Sequence, residues 1–129
     1  MRPHFLQPIV GEKKPASCVL RNRRTGQLLA DAIEPAFDSV SRRRGLLGRD
    51  GMPEGSALII APCQAIHTFR MRFAIDIVFV NRHGLILKVR RGVKPGRLTG
   101  SLAAFAVIEL PAGAIDRSET RVGDSLDLL

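Results

Sequence analysis

Pro62-Cys63-Gln64-Ala65-Ile66-His67-Thr68-Phe69-Arg70-Met71-Arg72-Phe73-Ala74-Ile75-Asp76 is the segment of this 129-residue chain whose residue types most suggest chemistry. In an extended chain alternate residues share a face. Cys63, Ala65, His67, Phe69, Met71 and Phe73 then lie together, opposite Gln64, Ile66, Thr68, Arg70 and Arg72. Four readings of Cys63 and His67 compete. A metal site needs at least three convergent ligands, and the pair supplies two, with His4 and His83 far away in sequence. A Cys–His nucleophile needs the thiolate beside the imidazole, whereas four residues of strand part the two Cα atoms by ~13 Å at ~3.3 Å per residue. A core histidine satisfied by one hydrogen bond, next to a small buried thiol, needs no function at all. The fourth reading is a pocket in which His67 and Thr68 face a bound small molecule.

Asp76 and Glu109 each interrupt an otherwise apolar run, Ile75 to Val80 and Val107 to Leu110. A buried carboxyl group is costly unless it is paired, hydrogen-bonded or protonated. Arg70 and Arg72 are the nearest candidate partners of Asp76, and Thr68 or His67 of Glu109. Two carboxylates on neighbouring strands can act as the acid and base of a glycoside hydrolase, or they can lock sheet register and bind loop N–H groups. Phosphate-loop, dinucleotide, nucleophile-elbow and zinc-protease motifs do not occur.

The net charge is +8, and 16 of the 20 basic residues are arginine. Arginine forks onto phosphate and carboxylate, so a nucleic-acid surface built from Arg21, Arg23, Arg24, Arg42, Arg43 and Arg44 is one reading and a solvated surface the other. Tyr and Trp are absent and Phe numbers six, which equips the chain poorly for stacking single-stranded bases. Two cysteines, Cys18 and Cys63, make no disulfide framework. The N-terminus lacks the apolar core of an export signal, and no stretch approaches the ~20 apolar residues that span a bilayer. These features lead us to expect a cytoplasmic protein with reduced thiols and no membrane partner.

The elements that must position these residues are mostly strands. Residues 1–15, with three prolines, read as an extended arm, and residues 16–129 as a single globular domain of ordinary size. Ser17 to Arg23 and Leu28 to Ile33 read as a hairpin around Arg24-Thr25-Gly26-Gln27. Pro35 to Leu47 is predicted as the principal helix, with Pro35 in its first turn, Arg42 to Arg44 complementing its C-terminal dipole, and Gly48 ending it. Strands follow at Ala57–Ala61, Ala65–Phe69, Ile75–Val80, Leu85–Arg90, Ala104–Leu110 and Ser125–Leu128, with a loop over residues 91–101 and a helical turn or two between Ala112 and Thr120. The expected class is α+β, an antiparallel-rich small β-barrel or folded two-sheet sandwich with one main helix.

Arg44-Gly45-Leu46-Leu47-Gly48-Arg49, Gly51-Met52-Pro53, Ile66-His67-Thr68-Phe69-Arg70-Met71, Ile75-Asp76-Ile77-Val78-Phe79-Val80, Pro95, Ile108-Glu109-Leu110-Pro111-Ala112-Gly113 and Val122-Gly123-Asp124 occur in this order. The series resembles a bacterial and archaeal family known only as domain of unknown function 192, over roughly residues 17–128. The resemblance implies a compact β-rich fold and no particular reaction. It maps signature positions onto His67, Thr68, Met71, Asp76, Glu109, Gly113, Gly123 and Asp124. Relatives often carry an export or lipoprotein signal, from which this N-terminus departs.

The leading expectation is therefore a non-catalytic module binding a small anionic or polyhydroxylated ligand, or a partner, beside His67, Thr68, Arg70, Asp76 and Glu109. The alternatives are the accessory nucleic-acid binder and a hydrolase using Asp76 and Glu109. No cofactor or metal is assigned.

Overall fold

A computed structural model describes residues 4–10 and 18–129. Its strands are β1 (Leu20–Asn22), β2 (Leu28–Ala30), β3 (Ala32–Ala36), β4 (Ser56–Ile60), β5 (Ala65–His67), β6 (Ile75–Val80), β7 (Ile86–Val93), β8 (Leu98–Gly100), β9 (Ala106–Pro111) and β10 (Leu126–Leu128). Two short helices, α1 (Ser39–Arg44) and α2 (Ala114–Arg117), complete it. A five-stranded sheet in the order β3-β4-β9-β6-β7 forms the centre, with a three-stranded sheet, β10-β1-β2, and a two-stranded ribbon, β5-β8. Pairing is antiparallel except between β3 and β4. The protein is thus β-rich with few helices. None of the three sheets closes on itself, so the barrel expectation is not met among the described residues.

The central sheet is covered on both faces, which explains why β6 and β9 are apolar at nearly every position instead of alternating. Both strands are buried throughout. Val78, Val80, Ile108 and Leu110 pack on one face with Leu20, Leu29 and Leu126 of the three-stranded sheet. Ile75, Ile77, Phe79 and Val107 pack on the other with Ile66 of the ribbon and with Leu46 and Met71. Full burial of such a side chain contributes about 1.5–3 kcal/mol, so these faces fix the register that in turn places Asp76 and Glu109.

Four expectations need correction, one of them the loop over residues 91–101, which instead holds the end of β7 and all of β8. Pro35 lies not in a helix but in β3, where it pairs with Ile59 of β4; β3 is an edge strand, where a missing N–H is tolerated. The helix starts only at Ser39, where the Asp38 side chain accepts the N–H of Ser41 at 2.7 Å. It ends at Gly45, with φ 48°, not at Gly48, so six residues replace the predicted main helix. The predicted strand Leu28 to Ile33 breaks at Asp31 into β2 and β3, which join different sheets. Residues 4–10 are not extended: Gln7–Ile9 form a 3-10 turn, and Leu6 and Ile9 are fully buried, because two large aliphatic side chains gain more in the core than in water. The remainder of the predicted arm, residues 1–3 and 11–15, lies outside the described residues.

Buried Asp124 ties the terminal strands together. It accepts Arg24 Nε at 2.6 Å and Nη2 at 3.1 Å, Asn22 Nδ2 at 2.9 Å and the N–H of Arg121 at 2.9 Å. The hydrogen bond from Arg24 chiefly holds its carboxyl well below the usual carboxylate range. A depressed folded-state pKa contributes stability that is present above the unfolded value and lost as pH falls through the folded one. Asp124→Asn is therefore expected to cost about 2–3 kcal/mol at pH 7. In urea titrations the gap to wild type should shrink below about pH 4; a gap independent of pH would show that charge plays no part there.

Candidate functional site

A cleft of about 370 Å³ opens between α1 with its following loop and the segment from Pro62 to His67. Arg42, Arg43 and Arg44 line one side, Cys63 and His67 the other, and Glu109 of β9 its inner end. The helix supplies its three arginines consecutively because Asp38 and Gly45 cap it just outside them. Arg42 is braced, its Nη1 donating to the Pro62 carbonyl at 3.1 Å and its Nε to that of Asp38 at 3.3 Å. Arg43 and Arg44 are exposed.

Glu109 is the unusual member. The register sets it between Leu58 of β4 and Ile77 of β6, and only 3% of its surface is exposed. Its Oε2 is buried without a hydrogen-bond partner. Burial raises its pKa to about 7, against the lowering influence of the Arg49 charge. A carboxyl group in this state exchanges a proton near neutrality and, when protonated, presents a hydrogen-bond donor to whatever enters the cleft.

The expected partners of the two acids are not the observed ones. Thr68 does not reach Glu109; its Oγ1 donates to the Lys94 carbonyl at 2.7 Å and accepts the Arg97 N–H at 2.9 Å, bracing a loop. His67 is no core histidine. It is exposed, and its ring stacks on Phe69 with centroids 5.0 Å apart. Ile66 and Thr68 point inward instead, so from Ala65 to Phe69 the face assigned to His67 is the outer one, whereas Met71 of the same predicted face is buried. Cys63 Sγ donates to the Ala65 carbonyl at 3.2 Å, and burial first of all pushes its thiol pKa up. That favours a neutral lining group over a thiolate nucleophile.

Asp76 lies elsewhere. In the β6–β9 register Asp76 is opposite Leu110 and Ile77 opposite Glu109, so the two acids project from opposite faces of the sheet. They cannot flank one glycosidic bond, and the geometry removes the hydrolase that needs both. Asp76 accepts the backbone N–H groups of Gly92 at 2.9 Å, Gly113 at 3.1 Å and Ile115 at 2.9 Å. Neither predicted arginine pairs with it. Arg72 binds Asp50 at 2.7 Å, and Arg70 stands exposed in a turn with φ 64°. Of the five residues expected to form a site, only His67 and Glu109 share the cleft.

The six arginines divide as well. Arg21 and Arg23 face Asp127, and Arg24 holds Asp124, all around the three-stranded sheet. Arg42 to Arg44 belong to the cleft. Their meeting with His67 and Glu109 escaped the sequence because contacts between segments so far apart along the chain leave no local pattern.

Comparison with known proteins places the chain. The profile of domain of unknown function 192, described as "Uncharacterized ACR", matches residues 20–128. The protein belongs to this family. Two crystal structures are similar in fold. One is a "putative transcription regulator" from Sinorhizobium meliloti 1021, 22% identical, with TM-score 0.75 over 86% of this chain and 91% of that one. The other is a protein of unknown function from Novosphingobium aromaticivorans, 17% identical, with TM-score 0.75 over 92% and 88%. At these identities the likeness concerns the fold alone. No curated protein is significantly similar. Within this member of the family the signature positions fall into two groups. Asp76, Gly113, Thr68, Gly123 and Asp124 hold backbone or hold strands together, whereas His67, Met71 and Glu109 line the cleft.

Proposed function

We propose that the protein is a binding module for a small anionic ligand, held in the cleft between α1 and the Pro62–His67 segment. The observation that carries this reading is the unpartnered Oε2 of Glu109 at the inner end of a cleft rimmed by three arginines. An unmatched buried carboxyl oxygen costs a fold of this size about 1–3 kcal/mol, a cost that makes sense where a ligand atom supplies the missing bond. Arg43 and Arg44 supply charge-assisted donors to the anionic end of the ligand. Protonated Glu109 meets a hydroxyl or carbonyl at the other end.

The test is thermal unfolding with inorganic phosphate, a sugar phosphate and a hydroxy acid. At least one of these should raise Tm in wild type. An Arg43→Ala/Arg44→Ala variant should lose most of that rise, with its ligand-free Tm unchanged because both positions are exposed. A flat response to every anion, or a rise that survives the double substitution, would end this reading.

The regulator label of the Sinorhizobium protein gives the nucleic-acid reading some interest. Arg21, Arg23 and Arg24 are engaged by Asp124 and Asp127, which leaves that reading only the cleft arginines. Binding there should weaken steeply with salt. The free thiols of Cys18 and Cys63 are in keeping with a reducing compartment such as the cytoplasm.

A further inference from the structure

Between Gly55 and Ile115 the chain holds eight lysines and arginines and two acids, Asp76 and Glu109. Both acids are buried, so this stretch offers no surface carboxylate of its own. It includes the β5–β8 ribbon and the edge strand β7. Among the described residues, acids from elsewhere reach only its margins, Asp50 at Arg72 and Asp116 at Arg91. Within those margins Arg70, Lys94 and Arg97 are exposed around a single knot, since Thr68 binds the Lys94 carbonyl and the backbone of Arg97.

Large apolar side chains stand among these cations. Leu98 is 70% exposed, Leu102 91% and Phe69 48%. Leu98 is the cross-strand partner of His67, and Phe69 stacks on the His67 ring, so the three share the outer face of the ribbon. Leu102 follows at the far end, past β8. Arginines on β7 are explained by the protection an edge strand needs. That protection does not explain two leucines and a phenylalanine held in water beside them.

We propose that this face docks on an anionic lipid bilayer, with Phe69, Leu98 and Leu102 entering the headgroup region and Arg70, Lys94 and Arg97 pairing with lipid phosphates. Apolar insertion combined with attraction to anionic lipid is how surface-bound proteins hold a membrane. The contact is peripheral: no helix among the described residues is long and apolar enough to cross a membrane. The expectation of no membrane partner rested on spanning segments, which a surface contact does not require. Nucleic acid fits this face less well, because aliphatic tips gain nothing from a phosphate backbone and one exposed phenylalanine makes a poor stacking platform.

Co-sedimentation with phosphatidylcholine vesicles, with and without phosphatidylglycerol, tests the proposal. The full chain should sediment at low salt only when phosphatidylglycerol is present. Lys94→Glu/Arg97→Glu should abolish sedimentation, and Leu98→Ser/Leu102→Ser should weaken it roughly tenfold or more, both with unchanged thermal unfolding. The proposal is overturned if wild type stays in solution with phosphatidylglycerol vesicles, or if the serine pair binds them as tightly as wild type. A single-stranded oligonucleotide bound by wild type and the serine pair but not by Lys94→Glu/Arg97→Glu, without vesicle binding, would overturn the proposal and assign the face to nucleic acid. All variants leave Arg42 to Arg44 and Glu109 intact, so the outcome is independent of the cleft.

Discussion

Glu109→Gln is expected to make the protein more stable at pH 8 and to leave it nearly unchanged at pH 4. The folded-state pKa of about 7 stands above the reference value of 4.5. Below pH 4.5 the acid is neutral in both states and its ionisation costs nothing. As pH rises toward 7 the unfolded chain gives up its proton first, so stability drains away through that window and levels off above it. Each pH step of one across the window removes about 1.4 kcal/mol, so the loss by pH 8 is of order 3 kcal/mol. Glutamine, the same size and never ionised, escapes it. Arg49 lowers the pKa of this carboxyl against the effect of burial, and the carboxyl in turn raises that of Cys63. The raised pKa of Cys63 keeps its thiol neutral across the window, so it does not compete for the transition. Urea titrations of wild type and variant at the two pH values check the expectation. At pH 8 the same variant should keep or enlarge the anion-induced rise in Tm, because its amide still offers a donor and carries no charge to repel the anion. A variant destabilised at pH 8 would mean that Oε2 has a partner in the fold, and the cleft would lose its main support.

The two buried acids show how far the sequence is legible. That Asp76 and Glu109 are buried follows from their neighbours alone, since β6 and β9 are apolar on both sides of them. Which face each takes depends on strand pairing, and a relation between β6 and β9 across some 30 positions leaves no mark in either segment. Sequence proximity made Arg70 and Arg72 natural partners for Asp76, yet the chain turns sharply at Thr68 to Met71 and carries both away. The strands themselves were largely readable from apolar runs between turn residues. The helix was not, because Pro35 fits a first helical turn and an edge strand equally well, and only pairing with β4 decides between them. The ribbon was half legible: alternation placed His67 and Phe69 together, but the partner that shows which face is outermost, Leu98, sits in what reads as loop.

Asp76→Asn should do the opposite of Glu109→Gln and destabilise the fold at neutral pH. The reason lies in where its three donors come from. The β6–β7 register shifts between Ile75 and Ile77, and Gly92, in the irregular stretch of β7, sends its N–H to Oδ1. Gly113 and Ile115 are at the N-terminus of α2, whose first N–H groups have no partner within the helix, and they bind Oδ2. One side chain from β6 thus satisfies a strand irregularity and a helix start at once. Asparagine has a single acceptor oxygen. In its better orientation it keeps two donors and turns an NH₂ group toward the N–H of Gly92, leaving that donor unsatisfied in a site only 1% exposed. The expected cost is about 2–4 kcal/mol, a large share of the roughly 5–15 kcal/mol that holds a domain together. Asp76→Ala, which strands all three donors, should cost more. Amide exchange localises the effect: protection at Gly92, Gly113 and Ile115 should fall first, while binding in the cleft persists in the asparagine variant wherever it stays folded. Were Asp76→Asn as stable as wild type, the carboxyl group would not be what holds these three amides, and the division of labour between the two buried acids would fail.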